Sequence, residues 1–246
     1  MTDWGFVPDW PVPAGVRSWQ TLRHGGISDG PYHSLNLGSH VGDAAEAVRD
    51  NRARLLERLR LPAEPAWLKQ VHGTQVIDLD RDSGREGDAA MTATPGTVVA
   101  ILTADCLPVL LSTRAGDRVG AAHAGWRGLA AGVLTQAVRR LGGEPKGIQA
   151  WLGPAIGPRA FEVGDEVREA FMAQGPDAEA AFQRNDRGRW QADLYALARL
   201  QLAAAGVERI SGGGFCTFSE AGRFFSHRKA PPCGRQATLI WLESRS

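Results

Sequence analysis

Six runs along the chain carry the β-branched and apolar residues that a half-buried, pleated backbone favours: residues 74–79, 97–103, 107–112, 118–123, 149–152 and 238–242. Four other segments show the spacing of a helix with one apolar stripe. Asp43 followed by Glu46 predicts a capping box ahead of Val48, Leu55, Leu56 and Leu59. Residues 129–141 predict a helix stopped by Gly142 and Gly143. Asp165 predicts the cap of a helix carrying Val167 and Phe171. Asp193 predicts the cap of another, running through Leu194, Leu197 and Leu200 to Gly206. Residues 80–88 and 183–189 are polar and read as loops, the second between two helices.

Strands and helices do not alternate strictly. The runs 107–112 and 118–123 are joined by the short, turn-rich link Thr113-Arg114-Ala115-Gly116-Asp117. So short a link forces an antiparallel pair. The pattern therefore predicts an α+β protein with mixed β-sheets, rather than a doubly wound parallel sheet. With no internal repeat and no long linker, residues 1–246 read as a single domain.

The hairpin has a chemical consequence. The midpoint between positions 106 and 123 falls inside its turn, so Cys106 and His123 are expected to lie opposite or nearly opposite each other. Opposite residues share a face, with Cβ atoms roughly 4.5–5.5 Å apart. A thiolate and an imidazole at that separation suit one borderline-soft cation such as zinc. They equally suit a nucleophile with its base, or a plain buried pair. The flanks favour chemistry. Pro108 removes an amide from a strand that otherwise reads as central. His123 precedes Gly125 and Gly128 at a strand end, where the backbone can approach a ligand closely. A third metal ligand would come from His72, before a strand and a flexible glycine. On chemistry alone His24, His33, His40 and His227 are equally eligible.

Composition narrows the setting. Hydrophobic residues make up 43% and charged residues 22%, which excludes disorder over most of the length. A formal net charge of +1 gives no field to attract nucleic acid or an acidic membrane. Three cysteines, Cys106, Cys216 and Cys233, cannot all pair within one chain, and a reducing compartment fits them better. No secretory signal or membrane span is legible, so a cytoplasmic location is expected, with a monomer as the default.

The strings Lys69-Gln70-Val71-His72-Gly73, Ala104-Asp105-Cys106-Leu107-Pro108 and His123-Ala124-Gly125-Trp126-Arg127-Gly128 resemble the core motifs of the YfiH family. The resemblance continues in Leu152-Gly153-Pro154-Ala155-Ile156-Gly157, Phe161-Glu162-Val163-Gly164, Phe225-Ser226-His227-Arg228 and Gly234-Arg235-Gln236. Near the start it includes Arg23-His24-Gly25-Gly26-Ile27-Ser28 and Ser34-Leu35-Asn36-Leu37-Gly38, so nearly the whole chain is covered. The family goes under the names laccase-like polyphenol oxidase, purine nucleoside phosphorylase and peptidoglycan editing factor. The resemblance implies a layered α/β/β/α fold shared with cysteine-hydrolase toxins. It also implies zinc held by His72, Cys106 and His123 at the catalytic centre. The implied activities are phosphorolysis of adenosine, inosine and S-methyl-5′-thioadenosine, plus deamination of adenosine. One departure is Ala198, where the family often has Asn.

Phosphorolysis needs an anion held beside a sugar that becomes positively charged. Arg228 is the first candidate to hold phosphate, Arg23 the second and Arg127 the third. Asn36 is a candidate to orient a purine edge. Asp105 is expected to point away from Cys106, and Cys216 and Cys233 to be structural. Two rival chemistries stand beside this one. Copper-dependent phenol oxidation needs several coppers and many ligands, whereas the chain has six scattered histidines. A Cys–His hydrolase acting on an amide, such as a peptidoglycan precursor, would use Cys106 as nucleophile. A non-catalytic nucleoside-binding module is the third possibility.

Overall fold

Along each central strand, successive side chains face opposite ways, and both directions find apolar partners. The computed structural model describes residues 3–244. Val99 and Ile101 join Leu110, Ala121 and Trp151 in an apolar layer between two sheets. Their neighbours Val98, Ala100 and Leu102 pack outward against Leu35, Leu37 and Leu55. In the second sheet, Leu107, Val109 and Leu111 pack outward against Leu129, Leu134 and Leu197 of the helices.

The order of layers is thus one helix, a five-stranded sheet, a six-stranded sheet, and a group of helices. The five-stranded sheet runs Gly5–Phe6, Val16–Thr21, Gln236–Leu242, Val98–Thr103, Ala66–Trp67. The six-stranded sheet runs Arg209–Gly212, Ile148–Leu152, Leu107–Thr113, Val119–Ala124, Ala89–Thr92, Val76–Asp78. Both sheets are mixed, with parallel pairs at their edges. A small third sheet joins Glu162–Val163, Trp190–Ala192 and Phe182–Arg184. The helices are α1 (Ala45–Leu59), α2 (Trp126–Ala130), α3 (Val133–Leu141), α4 (Asp165–Met172) and α5 (Leu194–Ala204). This is the mixed α+β, layered α/β/β/α architecture expected, and each of the six predicted runs forms a strand.

Several local expectations are corrected. Asp43 does not cap α1; Ala44 occupies that position without a side-chain bond. The Asp43 carboxylate is drawn instead to Ser28 Oγ (2.6 Å) and Asn36 Nδ2 (2.8 Å). Residues 129–141 form two helices, because Gly132 at φ 95° breaks the turn between them. Gly164, not Asp165, precedes α4, and Asp165 accepts from the Trp190 indole at 2.7 Å. Residues 183–189 are not a connection between helices but the turn of a hairpin, with Phe182 facing Ala192. The Asp193 cap is present: its carboxylate accepts from Tyr195 N and Ala196 N. Ala198 is fully buried on α5, so its small side chain is a matter of packing.

One end of the molecule gathers the loops. Gln236 faces Thr103, and Leu107 faces Ala124. Only Ala104, Asp105 and Cys106 separate the strand ending at Thr103 from the strand starting at Leu107. The ends of both sheets must therefore coincide there. The strand Ala66–Trp67 runs parallel to Val98–Thr103 and delivers residues 68–73 to the same end. Gln70 secures that loop through two bonds to the Leu102 backbone, at 2.8 and 2.9 Å.

Candidate metal centre

Strand register explains how Cys106 meets His123. Pro108, not Cys106, lies directly across from His123. Cys106 therefore sits diagonal to His123, offset by two residues, and an offset of two keeps both on one face. The residue across from Cys106 is Gly125. A Cβ there would lie 3.0 Å from both Cys106 Sγ and His72 Cδ2, so only glycine leaves room for the cluster.

His72 completes the group from the loop beside the first sheet. The ligand atoms of His72, Cys106 and His123 lie within 4.8 Å of one another. Cys106 Sγ is 3.9 Å from His72 Nε2. The two imidazole rings meet edge to face, with centroids 4.8 Å apart. A tetrahedral zinc ion with bonds of about 2.0–2.3 Å holds its ligand atoms roughly 3.3–3.6 Å apart. The Cys106–His72 pair, at 3.9 Å, is a few tenths of an ångström wider than that, and a spread of up to 4.8 Å across the group means the donors close together by about 1 Å to share an ion. Three protein donors leave a fourth position for water or substrate.

Asp88, which lies in the stretch read only as a loop, organises this centre. Its side chain is fully buried. Oδ1 accepts from His72 N (2.9 Å) and lies 2.8 Å from His123 Nδ1. Oδ2 accepts from Gly73 N (2.7 Å) and Val71 N (3.1 Å). The three successive amides form a nest around one carboxylate. Such a nest holds His72 in the left-handed region, at φ 61°. With Nδ1 committed to Asp88, His123 offers Nε2 to the cluster.

The charges follow from these contacts. Burial alone would raise the Cys106 thiol, but the charge and hydrogen bonds of His123, with His72, bring it down to about 6. Burial alone would lower His123, but the Cys106 charge and the Asp88 bond push it up to about 9. Burial would raise the Asp88 carboxyl, yet the His123 and backbone bonds hold it below its ordinary range. Without an ion, the pair is a thiolate beside an imidazolium.

The other anticipated residues are placed differently. Asp105 turns away from the cluster at φ 90°, accepting from Thr217 Oγ1 (2.6 Å) and Arg228 N (2.7 Å). Arg228 is exposed, with Nη1 on Glu162 O at 3.0 Å. Arg127 is exposed and lies over the Trp126 ring at 4.4 Å. Arg23 uses Nε, Nη1 and Nη2 on the carbonyls of His33 and Ala221. Asn36 is fully buried, and its amide is spent on Gly38, Asp43 and Arg235 N. Cys216 accepts from Gly157 N at 3.3 Å, and Cys233 is buried against Ala104 and Phe225.

Fold and site together define a layered α+β protein with a three-donor His2Cys centre at its loop end. Residues 17–243 match the family described as "Multi-copper polyphenol oxidoreductase laccase". A Pseudomonas aeruginosa protein named purine nucleoside phosphorylase is 53% identical over 244 residues, covering 99% of this chain and all of the relative. The Escherichia coli protein named purine nucleoside phosphorylase YfiH is 54% identical, covering 96% of this chain and 98% of the relative. A Neisseria meningitidis crystal structure superposes with a TM-score of 0.93 at 47% identity, covering 98% and 99% of the two chains. YlmD from Geobacillus stearothermophilus gives 0.87 at 34% identity, covering 94% and 93%. The chain belongs to the YfiH family.

Two outcomes follow for metal binding. Asp88→Asn puts an amide where four donors converge, and metal affinity should fall roughly 10–100-fold while the fold persists. Chelator competition with a chromophoric indicator reads this; an unchanged affinity would show that Asp88 does not set the ligands. An ion needs the thiolate and a neutral imidazole, so the pair releases one proton per ion between about pH 6 and 9 and two below about 6. Affinity should accordingly drop about tenfold per pH unit from 9 towards 6, and more steeply in acid. A flat affinity across that range contradicts the thiolate–imidazolium pairing.

Proposed function

We propose that this chain is a zinc-dependent purine nucleoside phosphorylase, acting on inosine, adenosine and S-methyl-5′-thioadenosine, with adenosine deamination as a second activity. The observation that carries the reading is a preorganised His2Cys donor set in a chain whose relatives at 53–54% identity are named for that phosphorylase. Residues 1–246 act as one catalytic domain in this reading. A cytoplasmic location and a monomer accord with it, and no helix among the described residues is long and apolar enough to cross a membrane.

Zinc suits the mixed sulfur and nitrogen donors, and when bound it supplies a Lewis acid and a water acidified to a pKa of roughly 7. The chain's own residues do the rest. His72, Cys106 and His123 hold the ion. Asp88 fixes the His123 tautomer and the His72 backbone. Gly125 keeps the space against Cys106 Sγ and the His72 ring free of a side chain. Arg127 and Arg228, exposed at the loop end, are proposed to contact the nucleoside. Arg23 and Asn36 brace the loops that shape the cleft. Copper-dependent phenol oxidation is poorly served: the His72–Cys106–His123 group is the sole cluster of its kind among the described residues. Several coppers would need more imidazoles than that.

A second reading has one specific observation behind it. Asp88, His123 and Cys106 form a Cys–His–Asp series, with the thiol at about 6. That arrangement would serve a hydrolase attacking an amide through Cys106. It predicts capture of Cys106 by a thiol-directed electrophile, prevented by an amide substrate and not by nucleosides.

Zinc-loaded protein given inosine and phosphate should yield hypoxanthine and ribose 1-phosphate on chromatography. Cys106→Ala should lower that rate on the order of 10³-fold. Absence of phosphate-dependent base release from every purine nucleoside tried would remove the phosphorylase reading.

A further inference from the structure

Phosphorolysis requires a seat for an anion, and the arginines suggested by the motifs are poorly free to provide one. Arg23 spends Nε, Nη1 and Nη2 on carbonyl oxygens, and Arg228 spends Nη1 on Glu162 O. The arginines around residues 36–38 differ. There the segment Asn36–Gly38 is gripped by two other arginines. Arg52 of α1 donates from Nε and Nη2 to Leu37 O, at 3.1 and 2.8 Å. Arg235 donates its backbone N to Asn36 Oδ1 at 2.8 Å. Its Cγ fills the space beside Gly38, 2.8 Å from where a Cβ would stand.

Both arginines are tied to the elements that carry the metal donors. Arg52 lies 4.3 Å over the ring of Trp67, in the strand that leads into the His72 loop. Arg235 Nη1 donates to Cys233 O at 2.8 Å, and Cys233 packs with Ala104, two residues before Cys106. The gripped segment then presents His40. Its exposed imidazole makes no hydrogen bond or ion pair among the described residues. Burial, then the positive charges of Arg235, Arg52, His123 and His72, hold its pKa below the ordinary histidine value. His40 therefore shares one electrostatic neighbourhood with both arginines and both histidine donors.

The donors there remain available. Arg52 Nη1 and Arg235 Nε and Nη2 form no hydrogen bond among the described residues. Asp43 is hydrogen-bonded by Ser28, Asn36 and Ala44 N; Glu64, which accepts from the Trp67 indole at 3.3 Å, is the acid whose charge acts on Arg52, and none acts on His40. Such a concentration of cationic donors beside a three-ligand centre is arranged for an anion.

We propose that inorganic phosphate is received between the His72–Cys106–His123 cluster and the 36–40 loop, on His40 and Arg235 with Arg52 behind them. The chemistry that follows rests on the phosphorylase reading. A phosphate oxygen bonds to C1′ of the sugar as the C1′–N9 bond breaks and its electron pair leaves with the purine. The proton of monohydrogen phosphate ends on the purine nitrogen, so charge and atoms balance. Held there, the anion faces the sugar carbon that is turning positive.

The test is equilibrium dialysis of labelled orthophosphate against zinc-loaded protein, with phosphate and inosine KM values measured alongside. His40→Asn and Arg235→Met should each weaken phosphate binding about tenfold, the loss of one hydrogen bond to a charged group. Their phosphate KM should rise in step while the inosine KM stays within about twofold. Arg228→Met probes the competing arginine. His40→Asn is the safer variant, since its side chain braces nothing. Phosphate binding unchanged in both His40→Asn and Arg235→Met, or lost only in Arg228→Met, overturns the assignment, as does a parent that binds no phosphate. A parent that binds phosphate there but releases no base would sink the phosphorylase reading and leave the site standing.

Discussion

A carboxylate buried without water must find partners, and Asp88 finds them in three consecutive amides and one imidazole. That demand links parts of the chain that share no strand. It bends the His72 backbone into a conformation few residues adopt, and it fixes which nitrogen of His123 faces the cluster. Two of the three donors are thereby aimed by one side chain. The third, Cys106, follows from the three-residue passage between the sheets, where Asp105 is anchored by Thr217 and the Arg228 amide. The cluster is thus assembled by the protein's own hydrogen bonds, and an ion bound there would meet donors already oriented.

The layered architecture makes this convergence possible. Both sheets bury both faces, so no loop can cross them, and the functional loops collect where the strands end. Residues 36–40, 69–73, 104–106 and 225–235 approach one another there, although they come from opposite layers. Glycines keep the assembly tight, Gly125 against the donors and Gly38 against Arg235. The proposed chemistry needs that closeness, because an anion, a sugar and an ion must meet within one cleft.

Much of this was legible in the sequence where local physics decides. The apolar runs became strands, the short link became a hairpin, and Asp193 capped its helix. The hairpin brought Cys106 to the face of His123, though diagonally, because the register slid by two residues. Other features were hidden where long-range contacts decide. Val16–Thr21 carries Ser18, Gln20 and Thr21, which look like loop residues, yet all three are buried and Gln20 bonds Thr238 at 2.6 Å. Asp43 resembled a cap until Ser28 and Asn36 claimed its carboxylate. Asp88 resembled any loop acid, since nothing in its neighbours announces that three distant amides will surround it. Asn36 and Arg23 carried suitable chemistry, but backbone partners from elsewhere in the fold consume it.

The central claim is that His72, Cys106 and His123 share one ion. X-ray absorption at the metal edge of zinc-loaded protein reads the coordination shell directly. The account predicts one sulfur at about 2.3 Å and two imidazole nitrogens at about 2.0–2.1 Å, with the sulfur lost in Cys106→Ser. Zinc bound without any sulfur neighbour, or a spectrum that Cys106→Ser leaves unaltered, would contradict it.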